Sequence, residues 1–316
     1  MTTGQAVGQQ ASIDNPSAAA KGLQRETTVR SRLFDHFVLL KPRVMSLVVF
    51  TGGVGIYVAP GQINWVAAVT TLVCMAAGAG ACGALNMWYD ADIDAVMRRT
   101  AERPIPNGRV SPVTALVIGI LLSIVSVLAL AVLVNWIAGA LLALTIGFYV
   151  FVYTMGLKRR TPQNIVIGGA AGALPPVIGW SAVTGTIDPG ALALFAIIFL
   201  WTPPHFWALA LCRSSDYERA GVPMMPNVIG AEATARQIVI YSALLVPATF
   251  VPVALRFEGP IYATVALVLG ILFMVQAIAV RREKDAERRN KIAYKFFGFS
   301  IIYLFVLFVA LLIGAK

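Results

Sequence analysis

Asn86, Asp90 and Asp94 follow one another at intervals of four in the stretch Asn86-Met-Trp-Tyr-Asp90-Ala-Asp92-Ile-Asp94. On a continuous α-helix each such step drifts only about 40°, so the three oxygen-bearing side chains share one face and climb about 12 Å along it. Asp92 falls on the other side, toward solvent or a neighbouring loop. The stretch closes an apolar run, 64–88, that has the length of a membrane helix. Acidic groups at such a mouth are costly unless something cationic meets them. Two readings fit this spacing: a solvated helix end with local Asp–Arg pairs, or a face that binds a cation.

A second acidic loop, Arg213-Ser-Ser-Asp216-Tyr217-Glu218-Arg219-Ala-Gly221-Val-Pro223, follows the sixth apolar run as the first motif follows the second. That placement matches an internal repeat of helical hairpins. Asp216 is either a partner of Asp90 and Asp94 or a local cap or ion pair. Between the acidic stretches lies Tyr153-Thr154-Met-Gly-Leu157-Lys158-Arg159-Arg160-Thr161-Pro162-Gln-Asn164. Three successive cations at a helix end ordinarily mark topology. Beside carboxylates they permit one arrangement that satisfies both signs. Asp90, Asp94 and Asp216 would hold Mg²⁺, whose remaining ligands are substrate phosphate oxygens and water. Lys and Arg side chains would hold the outer phosphate oxygens. A plain anion site would have cations only.

The elements that must position these groups are membrane helices. Of 316 residues 58% are hydrophobic and only 13% charged, about half the charge of a soluble domain. The apolar content lies in long uncharged runs, which favours an all-α polytopic bundle over a barrel. Nine runs are legible, at 44–60, 64–88, 112–134, 136–156, 163–183, 190–211, 237–255, 260–280 and 296–314. With the N-terminus inside, 23 of the 25 Lys and Arg fall in inside segments, leaving Arg256 and Lys316. The positive-inside rule therefore predicts nine spans with the N-terminus inside and the C-terminus outside. The same distribution ties the net charge of +10 to the membrane and not to nucleic acid. Residues 1–33 read as a disordered polar tail and 34–316 as a single transmembrane domain. Asp14 and Glu26 weaken a transit-peptide reading of the tail. Cys74, Cys82 and Cys212 show neither CxxC nor metal-ligand spacing.

Asn86-x-x-x-Asp90-x-x-x-Asp94 followed by Arg99-Thr100-x-x-Arg103-Pro104-x-x-x-Gly108 resembles the first motif of the UbiA-type intramembrane prenyltransferases. Three further stretches are similar to the protoheme IX farnesyltransferase (heme O synthase) branch of that family. They are Tyr153-Thr-x-x-Leu-Lys158-Arg-Arg-Thr-Pro-Gln-Asn164 with its sequel to Pro176, Trp201-Thr-Pro-Pro-His205-Phe-Trp, and Asp216-Tyr-x-x-Ala-Gly-Val-Pro-Met. The resemblance begins near Lys41 and leaves out the tail. It implies transfer of farnesyl from farnesyl diphosphate to a vinyl group of heme b, with water addition, giving heme O. It also implies Mg²⁺, with Asn86, Asp90 and Asp94 as the first metal motif and Asp216 as the second. Many members carry DxxxD in the second motif, whereas Cys212 and Ala220 flank Asp216 here at four residues. The number of metal ions is open on that account. A bacterial inner membrane, in preference to a mitochondrial one, and a downstream heme O-modifying enzyme as partner are implied as well.

Ionisation of an allylic diphosphate is helped most by neutralising the leaving group. Lys158, Arg159, Arg103, Arg99 and Arg43 are the candidates for that role opposite the metal. Arg43 reads equally as a lipid-headgroup anchor. Tyr153, Thr154 and Asn164 either meet phosphate or pack, and Trp88, Tyr89, Phe206 and Trp207 either face a carbocation or belong to the aromatic belt. His205 is the one histidine inside an apolar run: it either serves function, here iron ligation or a propionate contact, or is satisfied by a neighbouring carbonyl. Thr202, Pro203 and Pro204 are expected to break the helix just before it. The competing readings are a prenyltransferase with a quinone-precursor or chlorophyll-type acceptor, and a transporter or heme-handling assembly factor without catalysis. Transporters place charge near the midplane on broken helices, whereas these acids gather at helix ends.

Overall fold

A computed structural model describes residues 29–314, with side chains from Phe34 onward except Arg43 and Val44. Residues 1–28 of the expected tail lie outside it, and 29–33 belong to the first helix. Every element among the described residues is helical. In chain order they are α1 (Val29–Leu39), α2 (Pro42–Val58), α3 (Trp65–Tyr89), α4 (Ala91–Val96), α5 (Pro112–Leu133) and α6 (Trp136–Gly147). A π-helix (Phe148–Leu157) continues α6, and then come α7 (Asn164–Ala173), α8 (Pro175–Thr184), α9 (Pro189–Cys212), α10 (Ser214–Arg219) and α11 (Met225–Ile229). The last are α12 (Ala231–Ala248), α13 (Val251–Ala254), α14 (Pro260–Arg282) and α15 (Ala286–Gly314).

Among the described residues eight stretches are long and apolar enough to cross a membrane, and the shorter Met45–Val58 is apolar as well. The chain is an integral, multi-pass membrane protein. The sequence sets the ends of these helices by local rules. Asn64, Ser111 and Asn135 each accept a backbone N–H of the first turn, at 2.8, 3.0 and 2.9 Å. Proline opens α2, α5, α8, α9 and α14, where its missing N–H is no loss.

The helices close into a ring. Going round, α2 packs on α3, α3 on α5, α5 on α6, and α6 on the α7–α8 pair. From there α8 packs on α9, α9 on α12, α12 on α14, α14 on α15, and α15 returns to α2. Across the ring α2 crosses α8 so closely that a Cβ on Gly55 would run into the Pro176 carbonyl, and one on Gly179 into that of Gly52. Lipid gives helices no hydrophobic drive toward each other, so close approach of small residues carries this association. The aromatic core, with Trp207, Tyr262, Phe273, Phe296, Tyr303 and Phe308 fully buried, lies among α9, α14 and α15. Exposed aliphatic side chains such as Val125, Val132 and Leu133 coat the outside of α5, as a lipid-facing surface requires.

Two local expectations change. Pro203 and Pro204 do not break α9, which runs on to Cys212. Neighbouring helices hold the segment, and the Thr202 hydroxyl donates to the Ile198 carbonyl at 2.8 Å just before the prolines. The helix bearing the first acidic motif is not continuous: α3 ends at Tyr89, Asp90 takes φ −93° and ψ 12°, and α4 restarts at Ala91.

Candidate active site

The centre of the site is the Asp90 carboxylate, completely buried at the break between α3 and α4. The Asn86 amide, one turn earlier, donates to Asp90 Oδ2 at 2.6 Å and reaches Thr154 Oγ1 at 3.3 Å. Lys158 Nζ donates to the same carboxylate oxygen at 2.5 Å. Lys158 follows the π-helix directly, its backbone N–H bonded to the Tyr153 carbonyl five residues back at 2.9 Å. Next to it the Arg159 guanidinium grips Asp92 through two bonds of 2.7 Å and reaches Tyr89 O at 3.1 Å and Asp90 Oδ1 at 3.4 Å. The same group lies 5.0 Å over the Tyr89 ring. Asp92 is 63% exposed, and its bonds to Arg159 hold its carboxyl below the usual range. It therefore lies off the buried face, as the helical spacing requires.

Asp94 is buried and paired with Arg103 at 2.6 Å, while its carbonyl accepts the Thr100 hydroxyl at 2.9 Å. These contacts fold the loop after α4 back over the helix ends. Burial pushes the Tyr217 phenol up, and the positive charge of Arg99, in the same loop, opposes the shift. Asp216 is buried on α10 and paired with Arg219. The second acidic loop packs on the first through apolar side chains: Ile93, Ile165, Ala210, Val222 and Met224 form one cluster with Tyr217 at its edge. Asn164 opens α7 beneath this loop, donating to Thr161 O at 2.6 Å and Pro223 O at 3.5 Å. Its Oδ1 is enclosed with no partner among the described residues. Tyr153 packs on Tyr149 as a tilted ring pair at 5.3 Å and leans on Gly168, where a Cβ would meet its ring. Arg43 lies in the first turn of α2, and its side chain is outside the described residues.

One residue escapes sequence reasoning. Lys41 joins α1 to α2 in the left-handed region, at φ 51°, and its ammonium donates to Asn86 Oδ1 at 2.6 Å. Glycines of α3 make this possible: a Cβ on Gly83 would lie 2.9 Å from Leu39 O, and one on Gly80 would lie 3.2 Å from the Leu40 side chain. Burial lowers the Lys41 ammonium to about 7, helped by the charges of Arg103 and Lys158 and opposed by Asp94 and Asp90. Lysine before a membrane helix reads as a topology marker. The signal that could have found it is the small-residue run 76–84 of α3, the mark of a close backbone approach.

Each acid thus has its own cation: Lys158 on Asp90, Arg103 on Asp94, Arg219 on Asp216. Among the described residues no three His, Cys, Asp or Glu side chains form a ready metal-binding group. The expected three-carboxylate cluster is not assembled, because the break at Asp90 and the Arg103 pair turn Asp94 to its own partner. The donor set still fits Mg²⁺ by its chemistry. Asn86, Asp90, Asp94 and Asp216 offer only hard oxygens.

Residues 47–313 match the UbiA prenyltransferase family. The chain belongs to that family. It is 60% identical over 279 residues to the protoheme IX farnesyltransferase of Parvibaculum lavamentivorans, covering 88% of each chain. It is 55% identical over 302 residues to that of Sinorhizobium fredii, covering 95% of this chain and 94% of the relative. Among solved structures, a digeranylgeranylglyceryl phosphate synthase matches with a TM-score of 0.75 at 17% identity, over 90% of this chain and 98% of that one. A UbiA homologue from Archaeoglobus fulgidus bound to DMAPP and Mg²⁺ matches with a TM-score of 0.60 at 18% identity, over 86% and 99%. At such identities the likeness establishes the fold. This UbiA prenyltransferase is accordingly an enzyme, with its acidic and basic motifs brought to one end of the ring.

Proposed function

We propose that this UbiA prenyltransferase moves the farnesyl group of farnesyl diphosphate onto a vinyl group of heme b, with water addition, giving heme O and diphosphate. The observation that carries a diphosphate site is the company Lys41 keeps. Three cations, Lys41, Arg103 and Lys158, crowd two buried carboxylates, Asp90 and Asp94. Excess buried positive charge favours an anion, and the carboxylates among it favour a metal-bridged one.

In binding a diphosphate the ion pairs would exchange partners. Lys158, Arg103 and Lys41 swing from carboxylate and amide oxygens to phosphate oxygens, with Arg159 and Arg99 at the rim and Arg43 as a further candidate. The oxygens of Asn86, Asp90, Asp94 and Asp216 would hold the Mg²⁺. Bound there, Mg²⁺ supplies charge neutralisation for the leaving diphosphate as the allylic C–O bond ionises. Tyr153 and Thr154 close the wall beneath, with Asn164 as a further substrate contact. The apolar ring keeps water from the farnesyl cation until the vinyl group attacks it. Water addition then quenches the cation left on the porphyrin side chain.

The heme acceptor rests on relatives at 53–60% identity that are named for that reaction, together with His205. This histidine stands two turns before the end of α9, about 10 Å into the bundle. We further propose nine crossings with α2 as the shortest, the N-terminus inside and the C-terminus outside, in a bacterial inner membrane. The deciding experiment incubates the purified protein with heme b, farnesyl diphosphate and Mg²⁺ and analyses the pigment by mass. Conversion of heme b to a hydroxyethylfarnesyl product supports the proposal. Prenylation of a quinone precursor with no mass gain on heme b overturns it.

A further inference from the structure

The imidazole of His205 is held on three sides. Trp201 stacks on it at 4.2 Å and 19°, and Phe297 does so at 4.5 Å and 24°. Phe206 meets it edge-on at 5.1 Å. Nδ1 lies 2.6 Å from Ser300 Oγ, so the ring of α9 is pinned to α15. Trp201 Nε1 donates to the Ser300 carbonyl at 2.8 Å, which fixes the same crossing a second time.

Hydrogen accounting decides which ring nitrogen carries the proton. A serine hydroxyl has one hydrogen to give. Ser300 gives it to the Phe297 carbonyl, one helical turn back, at 2.6 Å. Toward His205 the Ser300 oxygen is left as an acceptor, so Nδ1 must be the donor. In a neutral imidazole the lone pair then lies on Nε2. Nε2 has no hydrogen-bond partner among the described residues and is not one of the enclosed partnerless atoms, as the indole nitrogen of Trp207 is.

We propose that Ser300 is a positioning residue: it fixes His205 in the Nδ1–H tautomer and so presents a bare Nε2 lone pair to the iron of the heme substrate. This rests on the heme acceptor proposed above. No proton moves when the bond forms, because the lone pair is already free. The aromatic faces stop the ring from turning, so the ligand direction is set before heme arrives. A second-sphere hydrogen bond of this kind typically changes metal affinity 10–100-fold.

The chain has two histidines, so a His36→Gln background leaves His205 as the sole imidazole. Labelled with ¹⁵N-histidine in detergent micelles, that protein should show one protonated Nδ1 and one unprotonated Nε2 without any heme present. A protonated Nε2 overturns the assignment outright. In Ser300→Ala the tautomer preference should be lost and heme b titrations should weaken about 10-fold or more. Ser300→Thr should restore both, and the thermal shift with Mg²⁺ and inorganic diphosphate should stay as in wild type. Heme b affinity in Ser300→Ala equal to wild type, alongside a loss in His205→Ala, removes Ser300 from the role. Unchanged heme absorption and affinity in His205→Ala removes the iron contact, while conversion of heme b by the wild type still judges the proposed reaction separately.

Discussion

Lys158 and Asp90, 68 residues apart in sequence, meet at 2.5 Å with the carboxylate fully buried and the lysine 16% exposed. Breaking one side of such a pair leaves an uncompensated buried charge, at a cost of about 3–5 kcal/mol. Asp90→Asn and Lys158→Met should each lower thermal stability, and the double variant should lose less than the sum of the two. Both single variants and the double should be inactive in prenyl transfer, at least 100-fold down. Recovery of turnover in the double would mean that the pair only holds the helices together.

Asp92 is two residues away and tells the opposite story. Its bidentate bond to Arg159 is largely solvent-exposed, where such pairs contribute about 0.2–1 kcal/mol. Asp92→Ala should cost less than about 5-fold in turnover, against complete loss in Asp90→Ala. Equal losses would contradict the burial difference between the two carboxylates.

Mg²⁺ and diphosphate should stabilise the protein only together. At about 100-fold over the dissociation constant the joint ligand adds about 2.7 kcal/mol, a clear rise in Tm by differential scanning fluorimetry. Mg²⁺ alone faces carboxylates already paired, and diphosphate alone would draw the cations away and leave those carboxylates uncompensated. Lys41→Met removes a buried charge crowded by two cations, so it should hold or raise Tm while abolishing the joint shift. EDTA should reverse the shift in the wild type.

Glu258 sits in the turn before α14, at the end of the ring away from Asp90, with both oxygens enclosed and unpartnered among the described residues. Burial pushes its carboxyl from 4.5 up to about 7. A folded-state value above the unfolded one means the folded protein binds this proton more tightly. Its contribution is therefore full below 4.5 and lost as pH rises through 7. Tm should fall between about pH 5 and pH 8. Glu258→Gln, neutral throughout, should flatten that slope and raise Tm at the upper end, with prenyl transfer unaffected.

Much of this was legible in the chain because membranes leave few choices. Long uncharged runs must be helices, and helical spacing alone sets Asn86 and Asp90 on one face and Asp92 off it. The all-α, multi-pass bundle follows from that constraint. What sequence could not supply depended on contacts made across the ring. Past the break at Asp90, Asp94 is held by Arg103 and Thr100, and neither adjoins it in sequence. Lys41 becomes a site residue only because Gly80 and Gly83 let another segment press onto α3. Pro203 and Pro204 read as a break, yet the flanking helices keep α9 whole.

The π-helical stretch has a consequence for phase. Between Phe148 and Leu157 the backbone pairs five residues back, as the Lys158 N–H does with Tyr153 O. Deleting a single apolar residue from α6, just before this stretch, would leave the span long and greasy enough for the bilayer and leave both pairing patterns as they are. Everything after it would rotate by about 100°. Lys158 and Arg159 would then point away from Asp90 and Asp92, so one silent-looking methylene-rich residue acts as the gear tooth that keeps two distant charges in mesh.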